Sequence, residues 1–212
     1  MPIAFDAAFH NDQSNVNEVL TFSFTVGVGS NRIMFAAPTC TGAQTVVSVT
    51  YAGASMTRIN TQAYILGVSE LWALANPASG ANNVVVTYSA TPTGDDCVVA
   101  SYSGALQSVV MDSQGTATAV GDVTDTRTSI ADNCWHVAAM ANQSNNFSAG
   151  TNMTFRSEAS NVRIGDFNAA ISPAGANSIT GNNTGASFTN GATFAPFVAV
   201  SPKLFTLLGV GT

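Results

Sequence analysis

The chain has 212 residues, of which 46% are hydrophobic and only 8% are charged, against roughly 25% charged in ordinary soluble domains. Its 24 Thr, 21 Ser, 19 Asn and 18 Gly stand where most enzymes carry Glu and Lys, which fits a β-rich shell solvated by uncharged polar groups. A net charge of −6, with five Arg and the single Lys203, excludes a basic stripe for nucleic acid, and the composition excludes coiled coil, membrane span and disordered chain.

The N-terminal residues Met1 to Asp6 lack a basic segment followed by an apolar stretch, so no secretion signal is expected. Period-two alternation begins at Val19–Val26, where Leu20, Phe22, Phe24 and Val26 point one way and Thr21, Ser23 and Thr25 the other. The pattern returns in Val47–Tyr51, Val84–Tyr88 and Val98–Tyr102, each bounded by Gly, Pro, Asn or Asp. Further strands are predicted at Arg32–Ala37, Ser69–Ala75, Cys134–Ala141, Met153–Ser157, Asn161–Ile171 and Phe194–Val200. Gln62–Asn76 also carries apolar residues at helical spacing, but Gly67 and Val68 favour a strand there. The stretch Gly104–Ser129 is poor in large apolar residues and is predicted to wander over the surface. Ala174–Gly191, rich in Gly and Asn, is predicted to form turns or a long hairpin. No linker or charge run marks a boundary, so the prediction is one all-β domain over 1–212, an antiparallel β-sandwich of jelly-roll type with an apolar C-terminal segment at 203–212.

Catalytic apparatus is sparse. His136 falls on the same strand face as Cys134, Ala138 and Met140, and a Cys/His pair there is the sharp reading. Residues two apart on a strand stand about 6–7 Å apart, so a histidine in a polar contact is preferred. Asp95 and Asp96 are read as turn residues rather than a glycosidase pair. Asp122 and Asp125 offer oxygens to Ca²⁺ but lack a DxDxDG spacing, so no metal is assigned. Neither a nucleophile elbow nor a phosphate-binding loop is present, and no cofactor is expected. Cys40, Cys97 and Cys134 are an odd number without CxxC spacing and are read as buried small hydrophobes. The Trp and Tyr residues fall inside apolar runs, which favours core packing over a sugar-stacking platform.

The succession Ile3–Asp6, Thr21–Ile33, Val49–Arg58, Val68–Pro77 and Gly80–Thr87, continuing to Phe197–Lys203, resembles a widespread group of β-sandwich modules of bacteriophage virion proteins and bacterial surface proteins. The resemblance implies a sandwich fold and brings no catalytic residues. It points to a non-enzymatic virion structural protein assembled in the host cytoplasm, of the capsid decoration or cement kind. Expected partners are the major capsid protein or other virion proteins, with homo-oligomers, trimers first, around a symmetry axis. The alternative is a tail or fibre receptor-binding protein that grips a glycan. The apolar Leu204, Phe205, Leu207 and Leu208 are read either as a last strand or as a tail that docks on a neighbouring subunit.

Overall fold

Alternation becomes burial in β2 (Val19–Val26), where Leu20, Phe22, Phe24 and Val26 turn inward and Thr21, Ser23 and Thr25 meet solvent. The computed structural model describes residues 1–13, 17–64, 67–142 and 147–198, and these form strands and turns without a helix. Sheet I runs in the order β1 (Ala4–Gln13), β9 (Gly94–Ser103), β3 (Ile33–Thr41), β7 (Gly67–Ala75), β6 (Thr57–Tyr64). Sheet II joins β2 to β8 (Gly80–Tyr88), β4 (Val46–Tyr51) and β5 (Ala54–Ser55). Sheet III runs β10 (Ser113–Val120), β17 (Ala186–Phe194), β12 (Trp135–Asn142), β15 (Val162–Asp166), β14 (Thr154–Glu158). Sheet IV joins β11 (Val123–Thr128), β16 (Ala176–Asn182) and β13 (Ser148–Ala149). Every pairing is antiparallel.

The apolar clusters give the layer order. Leu20, Phe22, Phe24, Val49, Tyr51, Val84 and Val86 of sheet II pack on Met34, Ala36, Cys97 and Val99 of sheet I. The other face of sheet I, with Ile33, Phe35, Leu71, Val98, Ala100 and Tyr102, packs on Trp135, Val137, Ala139, Ile164, Ala192 and Phe194 of sheet III. Sheet III in turn covers sheet IV through Ala138, Met140, Val123 and Ile179. The stack is therefore II–I–III–IV, and sheets I and III are covered on both faces. Their central strands lose the alternating signature for that reason: β9 and β12 are buried on both faces along nearly their whole length, whereas β2 and β16 alternate.

The all-β antiparallel sandwich predicted from periodicity is what the chain forms. Jelly-roll stepping between two sheets occurs in residues 4–103 and again, in the same strand order, in residues 113–194.

The surface stretch predicted at 104–129 is corrected. A connection over 104–112 leads directly into the paired strands β10 and β11. The inward positions of β10 are Gly115, Ala117 and Ala119, and β11 buries Asp125, so an apolar count passes over both strands. The hairpin expected within 174–191 is corrected too: β16 belongs to sheet IV and β17 to sheet III, so the chain crosses between layers there. Its inward residues Asn177, Ser187, Thr189 and Asn190 are polar, which is why the stretch reads as loop. Asp95 and Asp96 lie buried within β9 rather than in a turn, and Asp96 Oδ2 accepts from the Asn161 backbone N–H and side-chain amide at 3.2 and 2.9 Å. The strand predicted at Phe194–Val200 instead ends at Phe194.

Candidate functional site

Two arrangements stand out, one exposed and one buried. The exposed one is an end of the layered stack where the connections 27–32, 76–79, 104–112, 129–134 and 167–175 meet the first residues and 195–198. Arg32 ties two of these loops, donating from Nη1 to the Gly29 carbonyl at 2.8 Å and from Nε to the Pro77 carbonyl at 3.0 Å. Asp112 accepts from the backbone N–H groups of Ile130 and Ala131 at 2.6 and 3.1 Å, and Asp132 accepts from that of Ala174 at 2.7 Å. Asp6 takes the Gly27 N–H at 2.8 Å and the Ser101 hydroxyl at 2.7 Å. These carboxylates are therefore engaged in holding loops.

This end also presents large apolar side chains to solvent. Val28, Val110 and Ile130 are 80–89% exposed, and Met1, Leu106 and Val198 join them; together they are six of the ten large apolar side chains exposed among the described residues. Beside them lies a cleft of about 550 Å³ walled by Met1, Ile3, Asn133, Trp135, Phe197 and Val198. Large apolar side chains gathered at one end of a domain point to a contact site, whereas singly scattered ones need no explanation. Leu204, Phe205, Leu207 and Leu208, the residues singled out in the sequence for partner binding, lie outside the described residues.

The buried arrangement sits between sheets III and IV. Asp125 on β11 is fully buried and accepts from Arg127 Nε at 2.9 Å, from Arg127 Nη2, and from His136 Nε2–H at 2.7 Å. The other ring nitrogen of His136 lies 2.9 Å from the side-chain amide of Asn177. Space for this group comes from two register-paired glycines: a Cβ on Gly191 would collide with the Asp125 carboxylate, and one on Gly115 with the Arg127 guanidinium. Asn60 on β6 donates to the carbonyls of the same two glycines at 3.1 and 2.9 Å, so the gap is held from both faces of sheet III. A second buried ion pair joins the inner sheets. Asp166 accepts from Arg156 Nε and Nη2 at 2.7 and 2.9 Å and from the Tyr102 hydroxyl at 2.8 Å, and Arg156 lies 4.2 Å above the Phe5 ring.

These contacts decide the chemistry proposed for single residues. Both ring nitrogens of His136 are occupied, and Cys134 lies instead beside Asp112, where burial and that carboxylate push its thiol up to about 12. No Cys/His pair is assembled. Cys40 is pushed to about 11 chiefly by burial, and Cys97 higher still, so all three cysteines are buried thiols with suppressed thiolate character. Asp122 accepts from the Asn183 N–H at 2.9 Å while Asp125 is filled by Arg127 and His136, so the two carboxylates do not share a site. Among the described residues no group of three or more metal-ligating acidic, His or Cys side chains comes together. Trp72, Trp135, Tyr51, Tyr88 and Tyr102 are buried in the core.

Sequence reading missed Glu70, a buried carboxyl on β7 that accepts from Trp72 Nε1 at 2.7 Å, Thr61 Oγ1 at 3.1 Å and Arg58 at 3.2 Å. It missed Arg127 and Gly191 as well, though Asp125 and Arg127 at a spacing of two on a strand are a legible signal that both point the same way. No family model matches the chain, and neither a curated protein nor a solved structure matches it.

Two measurements check these assignments. Asp125→Ala leaves the buried Arg127 without its counter-charge and His136 Nε2 without its hydrogen-bond partner, and lowers the free energy of unfolding by about 3–5 kcal/mol in urea denaturation. Burial raises the Glu70 carboxyl above its ordinary 4.5, outweighing the opposing pull of Trp72, Arg58 and Thr61. The folded state thus holds this proton more tightly than the unfolded chain. The contribution to stability is complete below pH 4.5 and is lost as the pH rises through the higher folded value. Urea titrations from pH 4 to 8 will therefore find wild type losing stability relative to Glu70→Gln as the pH rises.

Proposed function

We propose that this chain is a non-enzymatic virion structural protein of the capsid decoration kind, which attaches to the major capsid protein or another virion protein through its apolar loop end. The observation that carries the reading is that Val28, Leu106, Val110 and Ile130 are exposed on the connections of the same end of the stack as the cleft walled by Met1, Phe197 and Val198. The virion assignment itself rests on the resemblance of the strand and turn segments to phage-associated sandwich modules.

Physical chemistry supports attachment over turnover. The carboxylates of the loop end are hydrogen-bonded to backbone, and the buried Asp125–His136 pair is sealed from substrate. A contact built from Val, Ile and Leu gains by removal of apolar area from water, about 25 cal/mol per Å², and loses little to salt. Copies arranged about a closed axis add several such modest contacts.

The test is location and contact together. Quantitative mass spectrometry of purified particles will find this chain in hundreds of copies. Val28→Asp combined with Ile130→Asp will reduce particle binding about tenfold or more while leaving the unfolding midpoint close to wild type, since both side chains are exposed. A handful of copies per particle, or glycan binding by the purified protein, would place it at a tail fibre instead.

A further inference from the structure

We infer that the face where sheets I and III meet is a self-recognition surface: the chain is two fused copies of one jelly-roll unit, packed as a homodimer packs. This rests on the fold and not on the proposed function. Replacing β1, β9, β3, β7 and β6 by β10, β17, β12, β15 and β14 converts the order of sheet I into that of sheet III, and β2, β8 and β4 likewise become β11, β16 and β13.

Local details repeat with the order. Asn31 and Asn133 both adopt left-handed backbone, with φ of 55° and 64°, two residues ahead of β3 and β12 respectively. Gly80-Ala81-Asn82 enters β8 after Pro77, and Gly175-Ala176-Asn177 enters β16 after Pro173.

The packing is reciprocal. The first strand of sheet I, β1, contacts the fifth of sheet III, β14, and β10 contacts β6; β9 contacts β15, and β17 contacts β7. Such reversal is what a twofold axis parallel to the strands produces, and it makes the interface isologous. Corresponding side chains that reach the axis must then meet across it. Tyr102 pairs with Ile33 in register as Phe194 pairs with Trp135, and the Tyr102 and Phe194 rings do meet, 5.2 Å apart. At the end of the same axis the segments leaving β9 and β17 cross: Leu106 N–H donates to the Ala195 carbonyl at 2.8 Å and Phe197 N–H to the Gly104 carbonyl at 2.7 Å.

The copies differ between their own two sheets. By the same register, Phe22, Phe24, Met34 and Val99 of the first copy correspond to Asp125, Arg127, His136 and Gly191 of the second. The fold thus holds with an apolar layer there, and the ion network belongs to the second copy alone.

The test starts from the full chain with a protease site inserted after Ser108 in the connection between copies. After cleavage, native mass spectrometry will find the two fragments still together. Separated in urea and mixed again, they will recover the native mass and spectrum. Refolded alone, the N-terminal fragment carrying Tyr102→Phe, which removes the hydroxyl that Asp166 satisfies in the intact protein, will appear at twice its own mass and dissociate on dilution. A folded monomer would overturn the inference. So would a fragment that stays unfolded alone while the mixture recovers, or a mixture that never recovers, because the face would then recognise only its present complement or require the covalent link.

Discussion

The structure depends on the burial of two five-stranded sheets against each other. Sheets I and III each carry an apolar layer on both faces, so their central strands have no solvent side on which to place charge. This constraint accounts for much of the composition. Strands such as Ile33–Ala37 and Val137–Ala141 consist wholly of apolar residues, and Ile33, Phe35 and Ala37 of one sheet share a packed layer with Val137, Ala139 and Ala141 of the other. Phe35, Tyr102, Trp135 and Phe194 form one tilted and edge-on aromatic group at the centre of this interface, and full burial of side chains of this size contributes about 1.5–3 kcal/mol each. The outward face of sheet IV carries hydroxyl residues, where Thr124 pairs with Thr180 and Thr126 with Ser178.

The outer sheets are held by unlike means. Sheet II sits on a broad apolar cluster that includes Phe22, Phe24 and Tyr51. Sheet IV sits on a smaller one and on the Asp125–Arg127–His136–Asn177 group. A buried ion network is a poor source of net stability, because desolvation offsets most of the Coulombic gain. Its strength is geometric. Asp125 fits only where Gly191 leaves room, so the packing of β11 over β17 is fixed in position. In the first copy, a slip of one residue would be opposed instead by exposure of the phenylalanine rings.

The outer strands were legible because solvent on one side enforces period two: the assignments at 19–26 and 47–51 follow alternation and match β2 and β4 closely, and that at 84–88 covers the second half of β8. Of the inner strands, β9 was read from alternation at 98–102 and β3, β7, β12 and β15 were marked by their apolar runs, whereas most of β17 fell in the stretch expected to form turns or a hairpin. β10, β11 and β16 were missed because Val123 and Ile179 are isolated among inward residues that are otherwise glycine, alanine, asparagine and an ion-paired aspartate, too sparse an apolar signal to mark a strand. Asp125, Arg127 and His136 were each visible as residues. Their union was not, since it depends on sheet III being sandwiched and on glycine at 191, far from them in sequence. The repeat was hidden for a related reason: the copies keep strand order and a few turns, such as Asn31 and Asn133, while their facing layers exchanged apolar for charged residues.

If the packed pair of inner sheets governs the whole molecule, their amides must be the last to open. Native-state hydrogen exchange under increasing urea is the direct test. The account predicts that amides of β3, β9, β12 and β17 exchange together at the global unfolding free energy, with β11, β13 and β16 of sheet IV opening earlier. Exchange of β12 and β17 at a free energy well below that of β3 and β9 would mean that the two halves unfold separately, and would contradict it.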